Sequence, residues 1–214
     1  MLGILDYNAG NPRSVLRALA SQRIAACITN DPSELESADG IIFPGVGAAG
    51  SAMQTLTQSG LDTVLRHAVS RHQPLLGICL GCQILLTQSE ENATPLLDIF
   101  PGSCRKFPDN ALQEDGTPAP IPHMGWNTVV QTKPSPLFAD IPQNAFFYFV
   151  HSYYVCPQAD LVLAQSTYTH PFCVAFGRDG LWGVQFHPEK SGRWGLTLLA
   201  NFARFCSQRG HHAQ

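Results

Sequence analysis

Charge is what this sequence has least of. Only 14% of its 214 residues are Asp, Glu, Lys or Arg, and the formal net charge is -3. The 13 Lys and Arg are scattered along the chain, so no basic stripe exists to neutralise phosphates and nucleic-acid binding is not expected. Long apolar runs are missing as well. None approaches the roughly 20 residues that cross a bilayer, so no membrane role is expected. The start, "MLGILDYNAGN", lacks a basic leader and its apolar run stops at Asp6, unlike an export signal. Seven cysteines in an odd, irregular set (27, 79, 82, 104, 156, 173 and 206) do not form a disulfide framework. Without an export signal they fit a reducing, cytoplasmic setting and mostly read as small buried hydrophobes. Zinc would need a second Cys pair or a His pair at finger spacing, and neither is there. The adjacent His211 and His212 read as a solvated polar end, and no metal is expected. A phosphate-cradling glycine motif, an internal repeat and a linker are also lacking, which leaves one domain over 1–214.

What is present is ordinary globular material, 44% hydrophobic, and its pattern changes midway. In the first half, short apolar runs alternate with helical periodicity. "LGIL" (2–5), "ACIT" (26–29), "GIIF" (40–43) and "PLLGI" (74–78) read as strands. Pro12 suits the first turn of a helix striped by Val15, Leu16 and Leu19, and a second helical segment lies around 61–71. "LGCQILLTQ" (80–88) reads as a third. Strands alternating with helices imply a mostly parallel central sheet flanked by helices. Prolines then thicken between 95 and 142, and "DNALQEDGTPAPIP" (109–122) reads as surface loop. "GWNTVVQ", "AFFYFV", "LVLAQSTY", "FCVAF" and "LWGVQF" follow as closely spaced strands, with a turn at Arg178-Asp179-Gly180, so antiparallel pairing is expected there. Leu198, Leu199, Phe202, Phe205 and Cys206 stripe a closing helix.

Two cysteines sit three apart in "LLGICLGCQ" (75–83). A strand entering Gly77, Cys79 and Gly81 before a helix resembles a nucleophile elbow, in which small neighbours let the chain turn sharply and lift one side chain off the sheet edge. Cys79 would then sit at a helix N-terminus, which favours thiolate, and the Leu80 amide would form half of an oxyanion hole. Cys82 would pack beside the strand. Two other readings compete: a plain buried thiol, or a dithiol redox pair at a strand-to-helix junction.

"GVQFHPEKS" (183–191) shifts the balance toward a nucleophile. His187 precedes a proline and is pushed toward extended backbone, so His187 and Glu189 share a face and converge on one point. Glu189 orienting an imidazole that faces Cys79 makes a nucleophile, base and orienter. "FPGVG" (43–47) ends a strand with Gly45 and Gly47 around Val46, which reads equally as a second oxyanion donor or as a tight turn.

"GICLGCQ" with "HPE" resembles the class I glutamine amidotransferases, whose fold is a single α/β domain and which use a Cys-His-Glu triad. "DYNAGNPRSV", "PGVGAAGSAM", "PHMGWN", "YFVHSYYV" and "GVQFHPEKSGRWGLTLLANF", together spanning residues 6 to 202, are similar to one branch of that family, the glutaminase subunits of imidazole glycerol phosphate synthase. The resemblance implies that Cys79 forms a glutamyl thioester from glutamine while His187, oriented by Glu189, moves the protons. It implies that Leu80 and the Gly45 to Gly47 segment hold the oxyanion, and that Gln83 with the backbone of His151, Ser152 and Tyr153 binds glutamine. No cofactor is implied. The partner implied is a (βα)8-barrel cyclase subunit in a heterodimer, which receives the ammonia in histidine biosynthesis, with Met124, Trp126, Tyr148 and Lys190 facing it. For Trp126 and Tyr148, core packing is the competing reading. Pro12, Ala49 and Cys82 depart from the family pattern, which expects Leu, Phe and Met there.

Overall fold

The computed structural model describes residues 1–112 and 116–210. His211 and His212, and 113–115 within the loop expected over 109–122, lie outside the described residues. The first half runs β1 (Leu2–Leu5), α1 (Pro12–Ser21), β2 (Ala26–Thr29), α2 (Pro32–Ser37), β3 (Gly40–Gly45), α3 (Ala49–Ser59), α4 (Leu61–Ser70), β4 (Leu75–Cys79) and α5 (Leu80–Ile84). The second half runs β5 (Gln88–Ser89), β6 (Thr94–Pro95), β7 (Gly102–Lys106), β8 (His123–Gln131), β9 (Ala145–His151), β10 (Tyr153–Pro157), β11 (Val162–Thr167), β12 (Pro171–Arg178), β13 (Leu181–Val184) and α6 (Gly192–Gly210).

Five strands, β2-β1-β3-β4-β13, form a parallel sheet. Its central strands are buried on both faces because their apolar residues alternate sides. Ile42, Leu76 and Ile78 pack into one core, with Val15 and Leu19 of α1 and Leu198 and Leu199 of α6. Ile41, Phe43 and Leu75 pack into the other, with Leu35, Leu56 and Leu65 of α2 to α4. A local signal opens α1, where the sequence places Pro12 in the first turn. Asn11 Oδ1 accepts from the Ser14 amide at 3.1 Å ahead of Pro12, a side-chain N-cap followed by proline in the first turn.

The antiparallel half is joined at β13. The sequence places this strand with the antiparallel set, and it does pair that way with β12 through the Asp179-Gly180 turn, where φ is 56° and 92°. Its other edge pairs in parallel with β4, Gly183 opposite Gly77 and Val184 opposite Ile78. Beyond β12 the order continues β10-β7-β5-β6, while β11, β8 and β9 branch from β12. The helix expected over 80–88 is a correction: α5 ends at Ile84. The carbonyls of Ile84, Leu85 and Leu86 accept instead from the amides of Leu97, Ile99, Phe100 and Asp98, so the returning chain takes the acceptors a longer helix would use.

Glycine is obligatory at the turn between β4 and α5. A Cβ at Gly77 would lie 2.8 Å from Cys82 Cα, and one at Gly81 would land on the Phe43 carbonyl oxygen. Because backbone on both sides cannot yield, Gly81→Ala is expected to cost at least about 2 kcal/mol. Urea denaturation checks it, and a midpoint equal to the parent's would refute the close approach.

Candidate active site

Three neighbouring parallel strands, β3, β4 and β13, finish at the same edge, with Gly45 opposite Cys79 and Val184 opposite Ile78. That edge, outside the carboxyl ends of the strands, is where open α/β sheets hold ligands. Cys79 sits there at φ 53° and ψ -112°, a strained backbone for a residue bearing a side chain. α5 has only five residues, so no long macrodipole lies behind the sulfur. Cys82 is fully buried one turn on, packed where a Cβ on Gly183 would be 2.9 Å from its own.

His187 lies just beyond β13 with extended backbone, φ -100° and ψ 94°. Its Nδ1 is 2.8 Å from Glu189 Oε1, and both side chains are 3% exposed. Its Nε2 is buried without a hydrogen-bond partner, and Cys79 lines the same cavity. Burial alone would lower its pKa, but the Cys79 sulfur and the Glu189 carboxylate outweigh burial and raise it to about 10. The imidazole therefore favours its protonated form.

A cavity of about 400 Å³ opens over these groups. Of the residues singled out in the sequence, Cys79, His187, Val46, Gly47, Leu80, Gln83, His151, Ser152 and Tyr153 line it, while Gly45 lies behind, close to the Tyr7 hydroxyl. Gln83 Nε2 donates to the Tyr153 carbonyl (3.0 Å) and to Gln185 Oε1 (3.2 Å), which leaves its carbonyl oxygen for a ligand. Met124, Trp126, Tyr148 and Lys190 gather elsewhere, on the outward side of the β8–β9 pair and the turn after His187. Met124 is 62% and Trp126 55% exposed, so core packing does not explain Trp126. The Trp126 and Tyr148 rings meet edge to face at 6.1 Å, and Lys190 Nζ lies 5.8 Å from the Tyr148 ring centre.

Two site residues escape a reading of the sequence. Gln185, fully buried, directs Nε2 at Cys79 Sγ from 3.9 Å; it lies in a bend just past β13, and no local signal in the sequence marks it. Glu91 brings a carboxylate to the cavity and accepts from the Ala49 amide at 2.6 Å. Nothing in "SEENATP" separates it from its acidic neighbour Glu90. Among the described residues, no His, Cys, Asp and Glu cluster could hold a metal ion, and no helix is long and apolar enough to cross a membrane.

A thiol raised on a strained turn, facing an imidazole backed by a buried carboxylate, defines an α/β enzyme of the cysteine-nucleophile type. More particularly, the chain belongs to the class-I glutamine amidotransferases, whose family model ("Glutamine amidotransferase class-I") matches residues 4–205. A relative from Desulfovibrio desulfuricans, "Imidazole glycerol phosphate synthase subunit HisH", is 58% identical over 100% of both chains. The protein of the same name from Nitratidesulfovibrio vulgaris is 56% identical over 97% of this chain and 98% of its own. Among solved structures, a putative GMP synthase protein from Thermoplasma acidophilum superposes with a TM-score of 0.72 at 20% identity, covering 100% of this chain and 97% of that one. That similarity shows a shared fold.

The electrostatic pairing can be tested directly. In Cys79→Ala the imidazole keeps its burial but loses the sulfur, so its titration midpoint should fall from about 10 toward neutral. Imidazole NMR against pH reads it, and an unmoved midpoint would sink the pairing.

Proposed function

We propose that this chain is the glutaminase subunit of an imidazole glycerol phosphate synthase, hydrolysing glutamine to glutamate and ammonia. The observation that carries the proposal is a relative of that name, 58% identical from end to end, in a chain whose cysteine, histidine and glutamate converge. The one glutamine amidotransferase domain is taken to run over 1–214. Seven free thiols support a reducing, cytoplasmic setting.

Cys79, with its proton held on His187, attacks the side-chain carbonyl carbon of glutamine. The tetrahedral oxyanion is held by the Leu80 amide and one amide of the Gly45 to Gly47 segment. Collapse breaks the C–N bond, His187 gives its proton to the departing ammonia, and a γ-glutamyl thioester remains. His187 then takes a proton from water, which attacks the thioester, and glutamate leaves as the thiol is restored. Glu189 keeps the imidazole oriented throughout, and no cofactor enters. At the other end of the substrate, Glu91 is the carboxylate among the lining residues that can pair with the α-ammonium, while the His151 to Tyr153 backbone meets the α-carboxylate.

Ammonia passes to a (βα)8-barrel cyclase bound as a heterodimer. The apolar face that carries Met124, Trp126 and Phe146, each more than half exposed, with Tyr148 and Lys190 beside it, supports docking there. A dithiol redox reading gains nothing from Cys82, which is fully buried against Gly183.

Glutamine hydrolysis by the full chain should be weak alone and rise strongly when the cyclase and its nucleotide ligand are added. Cys79→Ala should abolish turnover while Cys82→Ser keeps most of it; equal loss from both would favour the redox pair. Glu91→Gln can still accept from Ala49 but loses its charge, so KM for glutamine should rise by roughly 10- to 100-fold. A KM within twofold would remove Glu91 from substrate binding.

A further inference from the structure

Behind the pocket wall lies a buried chain of hydrogen bonds in which two histidines touch. His123 Nδ1 is 3.1 Å from His151 Nε2, and His123 and His151 are only 3% and 6% exposed. Which nitrogens carry protons follows from the groups at the two ends. At one end, His151 Nδ1 lies 2.8 Å from the Tyr153 carbonyl, which can only accept, so Nδ1 holds the proton and Nε2 is the acceptor. At the other, the Asn127 amide is oriented by two independent bonds: Oδ1 accepts from the Thr128 amide at 2.8 Å and Nδ2 donates to the Thr167 carbonyl at 2.8 Å. The second Nδ2 proton faces His123 Nε2 at 3.3 Å, so that nitrogen accepts and His123 Nδ1 donates. Both derivations require the same contact in the middle, His123 Nδ1–H to His151 Nε2. The chain therefore has a single direction, from Asn127 to the Tyr153 carbonyl.

Its surroundings preserve that direction. Tyr168 stacks on His123 at 4.2 Å and Phe107 leans on His151 at 5.4 Å, with Phe149 and Phe172 around them. Burial in this aromatic box pushes the pKa of both imidazoles down, to about 4 for His123 and about 3 for His151, so both stay neutral. The Tyr153 carbonyl at the end of the chain also accepts from Gln83 Nε2 at 3.0 Å. Gln83 in turn reaches Gln185, whose amide points at Cys79.

We propose that His123 is a positioning residue for the glutamine pocket: its Nδ1–H, donated to His151 Nε2, holds the His151 ring against the Tyr153 carbonyl, and through it that carbonyl and the Gln83 amide on the pocket wall. Its substrate consequence rests on the glutaminase reading above, whereas the His123–His151 hydrogen bond does not. His123 touches no substrate and acts through the wall.

Two substitutions separate positioning from packing. His123→Phe keeps a ring in the aromatic box and removes the donor. His123→Asn gives up the ring but retains an amide nitrogen close to where Nδ1 stood. The full chain is assayed with its cyclase for glutamine hydrolysis, and imidazole nitrogen shifts report whether His151 Nε2 still accepts a hydrogen bond. His123→Phe should move the His151 Nε2 resonance to that of an acceptor without a donor, with the proton still on Nδ1, and raise KM for glutamine on the order of tenfold, with kcat within about twofold. His123→Asn should hold KM within about threefold and keep the parent's Nε2 resonance, even at a lower melting temperature. Packing alone orders the variants the other way, with Asn the more damaged in KM. That order, or a His123→Phe protein with the parent's Nε2 resonance and KM, overturns the proposal. If the unsubstituted protein hydrolyses no glutamine with any partner, the glutaminase reading fails, and the Nε2 shifts still decide whether His123 holds His151.

Discussion

Everything at the site depends on one residue being held where an ordinary side chain resists going. Cys79 occupies positive φ at the end of β4, and the strain is contained by backbone packed on every side. Gly77 and Gly81 admit the Cys82 backbone and the Phe43 carbonyl, and Gly183 on the next strand admits Cys82 itself. With those approaches in place the strand can stop, reverse and enter α5 within one residue. Parallel register does the rest. Since β13 runs beside β4 with Val184 opposite Ile78, the residues that follow each strand emerge together, and a histidine 108 positions downstream reaches the thiol without a long loop.

Three histidines close to this turn show how local partners decide protonation. All three are buried, and burial lowers each pKa. His123 and His151 face one another, an amide and a carbonyl, none of which repays the cost of a buried positive charge, so they stay neutral. His187 faces a sulfur and a carboxylate, and the balance reverses, to about 10. The contrast lies in the partners, because depth is nearly equal. A neutral wall beside a protonated base places charge only where the proposed chemistry moves a proton.

How much of this is legible in the sequence follows the range of the interactions. The first four strands of the parallel sheet, the helix start at Pro12 and the Asp179-Gly180 turn are local, and each is marked by residues within a few positions. Cys79 and His187 stand out because glycine spacing and the proline after His187 carry geometry in themselves, whereas Glu189 reaches the imidazole from a 3-10 turn over Pro188–Lys190, where the sequence suggests an extended run. The end of α5 is hidden, since what stops the helix is the returning chain at 97–100 taking its acceptors. Glu91 is hidden because its position depends on the fold bringing the Ala49 amide to it. His123 sits in "PHMGWN" with nothing local to mark a role, which needs the 3.1 Å contact to a strand 28 residues away.

The β8–β9 pair joins the two halves of the functional argument by strand alternation alone. Inward positions bring His123, Phe147, Phe149 and His151 into the buried interior. Outward positions leave Met124, Trp126 and Phe146 exposed, with Trp126 opposite Tyr148 and Met124 opposite Val150 across the ladder. Exposed apolar area of this kind costs solubility unless something covers it, and a chain with so few charges has little to offset it. The same hydrogen-bonded ladder therefore fixes the pocket wall on one side and offers an apolar face on the other. A covering subunit would press on the strands that position His151. Tyr148 on that face is followed two positions later in β9 by Val150, whose carbonyl lies 3.8 Å from Cys79 Sγ.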